Sequence, residues 1–126
     1  MSDSTTSLLQ KLGFASGDSV FVETTPDWYT DFADKNELEL EPGLPAAHAH
    51  IFCAHEAELA DFLDNNDLDD IQKSLWICWP KKDSGMQTDL GENDIRQALL
   101  LLGWVDTKVA SMDDTWSGLK FLRHKA

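Results

Sequence analysis

WICWPKKDSGMQTDLGENDIRQ, residues Trp76 to Gln97, begins as an apolar strand, stops at Pro80 and ends as a helix. The run SLWICWP is a strand of unbroken apolar character at its end, and proline cannot donate to a ladder, so it terminates there. Asp89 reads as the N-cap of the following helix, and Glu92, three residues on, completes a box-like cap. Ile95, Ala98, Leu99 and Leu102 then form an apolar stripe, and Gly103 ends it. A strand that passes through a polar loop into an amphipathic helix is half of a βαβ crossover, the unit from which parallel sheets are built.

The same alternation extends in both directions. Upstream, residues Ser4 to Leu12 read as a short helix stopped by Gly13, and Ser19 to Thr24 as the first strand. Thr25 and Pro26 suit the cap and first turn of a second helix ending near Lys35. ELELE, Glu37 to Glu41, alternates strictly and reads as an edge strand with one wet face. PGLP, 42–45, is a turn, HAHIFCAH, His48 to His55, is the third strand, and Glu56 to Leu63 is helical. Downstream, WVDTKVASM is the fifth strand, DDT the turn, and WSGLKFL the sixth strand, running back antiparallel. The expectation is a single α/β domain over 1–126. It is a Rossmann-like three-layer arrangement with a mostly parallel six-stranded sheet closed by a C-terminal hairpin, with right-handed crossovers placing helices on both faces.

Composition bounds the function. The 126 residues are 42% hydrophobic and 26% charged, ordinary for a globular chain. No apolar run approaches the roughly 20 residues that span a bilayer, and MSDSTTSLLQ lacks the basic and apolar regions of a leader, so the expected location is cytoplasmic. A net charge of −13 repels phosphate backbones and anionic lipid, which argues against nucleic-acid and membrane partners and favours a monomer. Cys53 and Cys78 each lie in an apolar run and read as buried thiols rather than a disulfide.

WPKKDSGMQTDL together with DDTWSGLKF resembles DUF3052, a bacterial family of uncharacterised proteins, through Trp79–Gly85, Thr88–Leu90 and Asp113–Phe121. The opening KLGFASGDSVFVETTPDWY adds to the likeness. The resemblance implies a shortened, degenerate class I methyltransferase-like fold with strand order 2-1-3-4-6-5. It carries no established reaction. Methyltransferases place a glycine-rich turn after the first strand, because only glycine lets the backbone approach the cofactor closely. Here that turn is ETTPDWY, so no S-adenosylmethionine site and no other cofactor is expected.

The candidate ligand site is the loop at the carboxyl end of strand four, the edge where open α/β sheets bind ligands. Lys81 and Lys82 supply positive charge. Ser84, Gly85 and Thr88 offer hydroxyl and backbone donors ahead of a helix N-terminus, so an anionic small molecule is the expected partner. The alternative is a structural loop, with the lysines paired to acids and Asp89 occupying the helix start. The DDTWSG turn, with Asp113, Thr115, Trp116 and Ser117, is expected on the same rim, and Ser117-Gly118 signals a bulge or a close backbone approach. His48 and His50 share one strand face with no recognised metal spacing, so they read as strand-end polar packing and no metal is expected. A Ser84–His50–Asp113 triad can be composed on paper, but no nucleophile elbow supports it. Two functions stay open. One is a non-catalytic small-molecule-binding or interaction module, which the missing glycine turn favours. The other is an enzyme, a residual methyltransferase or a transferase acting on an anionic small molecule.

Overall fold

The structure, a computed structural model, describes residues 7–123. Four helices, α1 (Leu8–Leu12), α2 (Tyr29–Lys35), α3 (Glu56–Asn65) and α4 (Glu92–Leu100), alternate with six strands. The strands are β1 (Ser19–Glu23), β2 (Glu39–Glu41), β3 (Ala46–Phe52), β4 (Ile71–Pro80), β5 (Trp104–Ser111) and β6 (Trp116–Arg123). They form one mixed sheet in the order β2-β1-β3-β4-β6-β5. β1 pairs parallel to β2 and β3, and β3 pairs parallel to β4. β6 lies antiparallel between β4 and β5. The order is the one expected. The sheet is parallel only in part, because the hairpin puts two antiparallel ladders at one end.

Alternation along the strands divides the core into two clusters. Successive side chains point to opposite faces of a strand. Phe21, Ile51, Leu75 and Ile77 join Leu59 and Phe62 of α3 and Ile95 and Leu99 of α4. Their neighbours Val20, Phe52, Trp76 and Cys78 join Leu12 of α1 and Tyr29 and Ala33 of α2. All seven residues of β3 are buried, so the strand has no wet face and the polar positions His48 and His50 are enclosed as well.

Several boundaries differ from the sequence reading. α1 is capped by the Ser7 hydroxyl, which accepts from Gln10 N at 3.2 Å, and is closed by Gly13 at φ 77°. The expected residues 4–6 of that helix lie outside the described residues. α2 does not start at Pro26. Thr24 sits in the left-handed region at φ 55°, and Tyr29 N–H donates to Pro26 O at 3.0 Å, so Pro26 opens a turn and the helix begins at Tyr29. A β-branched residue at positive φ is unusual, so the turn after β1 is tight without any glycine. β4 is longer than SLWICWP, starting at Ile71. No bulge falls at Ser117-Gly118. The hairpin register shifts between Asp106 and Lys108 instead, and Gly118 marks a close approach to β4.

Candidate functional site

Two loops meet at the carboxyl end of β4. Lys81 N–H donates to Thr115 O at 2.8 Å, and Lys81 Nζ donates to Ser111 Oγ at 2.7 Å. The β4–α4 loop and the β5–β6 turn therefore share a rim, as the strand order requires. Within the turn, Asp113 Oδ1 accepts from Thr115 N and Trp116 N at 2.8 and 2.7 Å. Asp113 Oδ2 accepts from the Trp28 indole N–H at 2.7 Å, which anchors the rim to the segment before α2. Trp116 is buried edge-on against Phe52 at 5.2 Å, so its ring packs in the core. Ser117 is half-buried and pairs with Trp79 and Ser111 in the ladders.

The two lysines part company. Lys81 is tied to the hairpin, whereas Lys82 is exposed and lines a cleft of about 720 Å³ beside the start of α4. Trp79, Pro80 and Leu90 form the apolar part of its wall, and Thr88, Asn93 and three carboxylates form the polar part. Ser84 Oγ donates to Lys81 O at 2.7 Å, and Gly85, at φ 82°, ends that turn. Thr88 Oγ1 accepts from Leu90 N at 3.0 Å. Asp89 is not the cap of α4. Its Oδ1 accepts from Glu56 N at 2.8 Å, at the start of α3, and α4 begins later, where Asp94 Oδ2 accepts from Gly91 N at 3.1 Å. Glu92 is held by Arg96, which also donates to Asp106 Oδ2 at 3.0 Å. Lys82 thus faces Asp89, Glu92 and Asp94, so the cleft carries more negative charge than positive.

His48, His50 and the two buried thiols lie elsewhere, in the core. His48 and His50 are buried in the middle of β3 rather than at a strand end. His48 Nε2 donates to Asp18 Oδ2 at 2.8 Å, because a carboxylate can only accept, and Nδ1 then accepts from Ser74 Oγ at 2.6 Å. Phe14 stacks on His48 at 4.2 Å and Ser74 is 2% exposed, so the His48–Ser74 end of this chain is closed to solvent, while Asp18 at the other end is partly exposed beside Lys73. His50 lies 2.7 Å from the Tyr29 hydroxyl and 3.3 Å from Cys78 Sγ. Burial, with the neighbouring His48, lowers His50 to about 3. Burial also lowers His48 although Asp18 opposes the shift. Asp18 is pushed up by burial, yet the Ala15 N–H, His48 and Lys73 together hold it below its usual value. Burial raises both thiols, Cys53 to about 12. The two imidazoles and the two thiols are thus held in their neutral forms, whereas Asp18 is held as the carboxylate that His48 meets.

The Ser84–His50–Asp113 arrangement does not exist, since each member has the separate partners described above. Asp18, Tyr29 and Ser74 are the polar residues that the sequence reading missed. The His-x-His spacing was the available signal, because the β3–β4 register sets His48 opposite Ser74. Among the described residues no three His, Cys, Asp or Glu side chains are placed to hold a metal ion. Nor does any helix among them have the length and apolarity to cross a membrane.

The fold and rim define a small α/β protein with a mixed sheet and an open cleft at the carboxyl end of its central strand. The chain belongs to the family described as Domain of unknown function (DUF8412), whose model matches residues 51–126. No curated protein and no solved structure matches the chain. The match corrects the resemblance to DUF3052. It covers both motifs that carried that likeness, Trp79–Gly85 with Thr88–Leu90 and Asp113–Phe121, and assigns them to a different family. The methyltransferase-like fold was implied by that resemblance alone and falls with it. The strand order stands independently on the observed ladders.

Proposed function

We propose that the chain is a non-catalytic binding and interaction module whose ligand site is the cleft beside Lys82. The observation that carries this reading is the position of the cleft. It opens at the carboxyl end of β4, where α/β sheets hold ligands, and its volume of about 720 Å³ lies in the range of small-molecule pockets. A small polar molecule with one anionic group for Lys82 suits the lining. Trp79 and Leu90 offer an apolar wall, and Thr88 and Asn93 offer hydrogen bonds. Asp89, Glu92 and Asp94 disfavour a polyanion and favour a ligand that also brings an ammonium or hydroxyl group. The two core clusters support reading the fold as a three-layer, Rossmann-like domain. The two free buried thiols support a cytoplasmic setting, and the net charge supports a monomer without nucleic-acid or membrane partners.

An enzyme acting on an anionic small molecule is the second reading. The polar order Asp18, His48, Ser74 favours it, and the burial of Ser74 opposes it. A thermal-shift and calorimetry screen of amino acids, phosphorylated metabolites and nucleotides tests the first reading. A bound ligand raises the melting temperature by mass action, and Lys82→Ala should abolish that rise. A ligand that binds Lys82→Ala as well as the parent sinks the assignment. Labelling of Ser74 by a serine-reactive phosphonate would favour the enzyme.

A further inference from the structure

The cleft is one end of a longer groove. Through Leu90 and Asp94 it is continuous with a channel of about 210 Å³ between α3 and α4, lined also by Leu59, Ala60, Leu63 and Ala98. Leu63 then links this channel to a depression of about 220 Å³ formed with Leu68, Leu102 and Trp104. α3 has ten residues, about 15 Å of helix, so the groove is long enough for roughly three turns of a second helix laid beside it. Next to Leu102, itself 51% exposed, Leu100 and Leu101 stand 48% and 88% exposed at the end of α4. Leu102 lies in the groove itself, and Leu100 and Leu101 extend the exposed apolar surface beside it, a patch that lacks its cover.

Charge identifies the cover. The segment Glu56 to Asp70 carries seven carboxylates and no lysine or arginine. Of these, Glu56, Asp67 and Asp69 line the groove, and Asp94 joins them from α4. Arg123 is paired with Asp69 at 2.7 Å, and Arg96 with Glu92 and Asp106, so the nearby guanidinium groups are already engaged. An apolar floor between acidic rims is complementary to a helix with a leucine-type stripe flanked by lysine or arginine. A second copy of this chain would bring another −13 to the interface and is disfavoured.

We infer that the α3–α4 groove docks a basic amphipathic helix of a partner protein. This surface shares Leu90 and Asp94 with the small-ligand cleft but does not need Lys82. The helix lays its apolar stripe along Leu59, Leu63 and Leu102, and its cations meet the carboxylates on either side.

The test uses the full chain and a labelled synthetic leucine–lysine amphipathic peptide, with a matched peptide carrying glutamate at every lysine. Fluorescence anisotropy should give saturable, salt-sensitive binding of the basic peptide, and the acidic peptide should bind at least about tenfold more weakly. Ala60→Arg, on an exposed groove position, should weaken the basic peptide by about tenfold or more with an unchanged circular dichroism spectrum. Asp31→Asn, on the exposed face of α2, should leave binding intact. Equal loss in Asp31→Asn would reduce the effect to diffuse attraction by an acidic protein and overturn the proposal. So would equal binding of the acidic peptide, or no binding at all. A dimer in light scattering that Ala60→Arg dissolves would make a second copy the occupant and overturn it as well.

Discussion

Asp89, on the loop before α4, closes the start of α3: its Oδ1 accepts the Glu56 N–H at 2.8 Å and lies 3.7 Å from His55 Nδ1. The contact ties the loop before α4 to the start of α3 across 33 residues of sequence, and supplies a partner for an N–H that α3 cannot satisfy internally. Asp89→Ala should therefore cost about 1 kcal/mol in urea unfolding, and Asp89→Asn, which keeps an acceptor, less. Hydrogen exchange locates the effect. Protection should fall at Glu56 in the first turn of α3. If it fell at the first turn of α4 instead, Asp89 would be acting as the cap that its sequence position suggests.

The buried imidazoles give stability a pH dependence with a fixed sign. His48 and His50 are lowered by burial, so they stay neutral in the fold while the unfolded chain takes up protons below about pH 6.5. The unfolded state then binds more protons and stability falls as pH falls. For His50 the loss runs from about 6.5 down to about 3, with a limiting slope of about 1.4 kcal/mol per pH unit for one proton. Asp18 adds to it at the acid end. Its lowered carboxyl contributes stability above the ordinary aspartate value, and that contribution disappears as pH falls through the folded value. Urea titrations between pH 7 and 5 should show a shallower slope in His50→Leu than in the parent, whatever its absolute stability. An unchanged slope would mean that His50 does not titrate between the two states.

Much of the sheet was legible because its strands are bounded by residues with one conformational meaning. Pro80 ends β4 and Gly13 ends α1, and the Asp113–Asp114–Thr115 run turns the hairpin. These are local effects. Asp89 was misread because a capping signal within its own segment was overridden by a contact with a distant helix. Pro26 was misread because Thr24 enters the left-handed region, which side-chain preference disfavours and tertiary context imposes. The rim was foreseen because strand order alone brings Lys81 to Thr115. Acids beside the lysines were the alternative that the sequence reading left open, and the cleft has them, Asp89, Glu92 and Asp94 lining it with Lys82. The Asp18–His48–Ser74 chain needed the β3–β4 register, which no single strand reveals.

Gly118 is fixed by space rather than by dihedral angle. A Cβ there would lie 3.0 Å from Cys78 Sγ and from Trp76 Cε3, and 3.1 Å from Met112 Cε. Cys78 and Trp76 are both fully buried, so little can yield. Gly118→Ala should destabilise by about 1–3 kcal/mol, the usual range for overpacking a core. A midpoint within error of the parent in denaturant would show that β6 can move away from β4.

Lys81 and Lys82 are adjacent in sequence and should separate in experiment. Lys81 Nζ is committed to Ser111 Oγ and its backbone to Thr115, so it holds the hairpin to the loop. Lys82 is exposed on the cleft wall with no such tie among the described residues. Both Lys→Ala changes should leave stability within about 0.5 kcal/mol, since Lys81→Ala keeps the backbone bond to Thr115 and loses only an exposed side-chain bond, and Lys82 has no such tie to lose. Ligand binding should distinguish them. A ligand found by thermal shift should lose its stabilising effect in Lys82→Ala, whereas Lys81→Ala should retain most of it. The opposite pattern would move the site onto the β5–β6 turn, beside Ser111 and Asp113. Equal loss in both would mean that the ligand answers to the charge of the loop and not to the cleft.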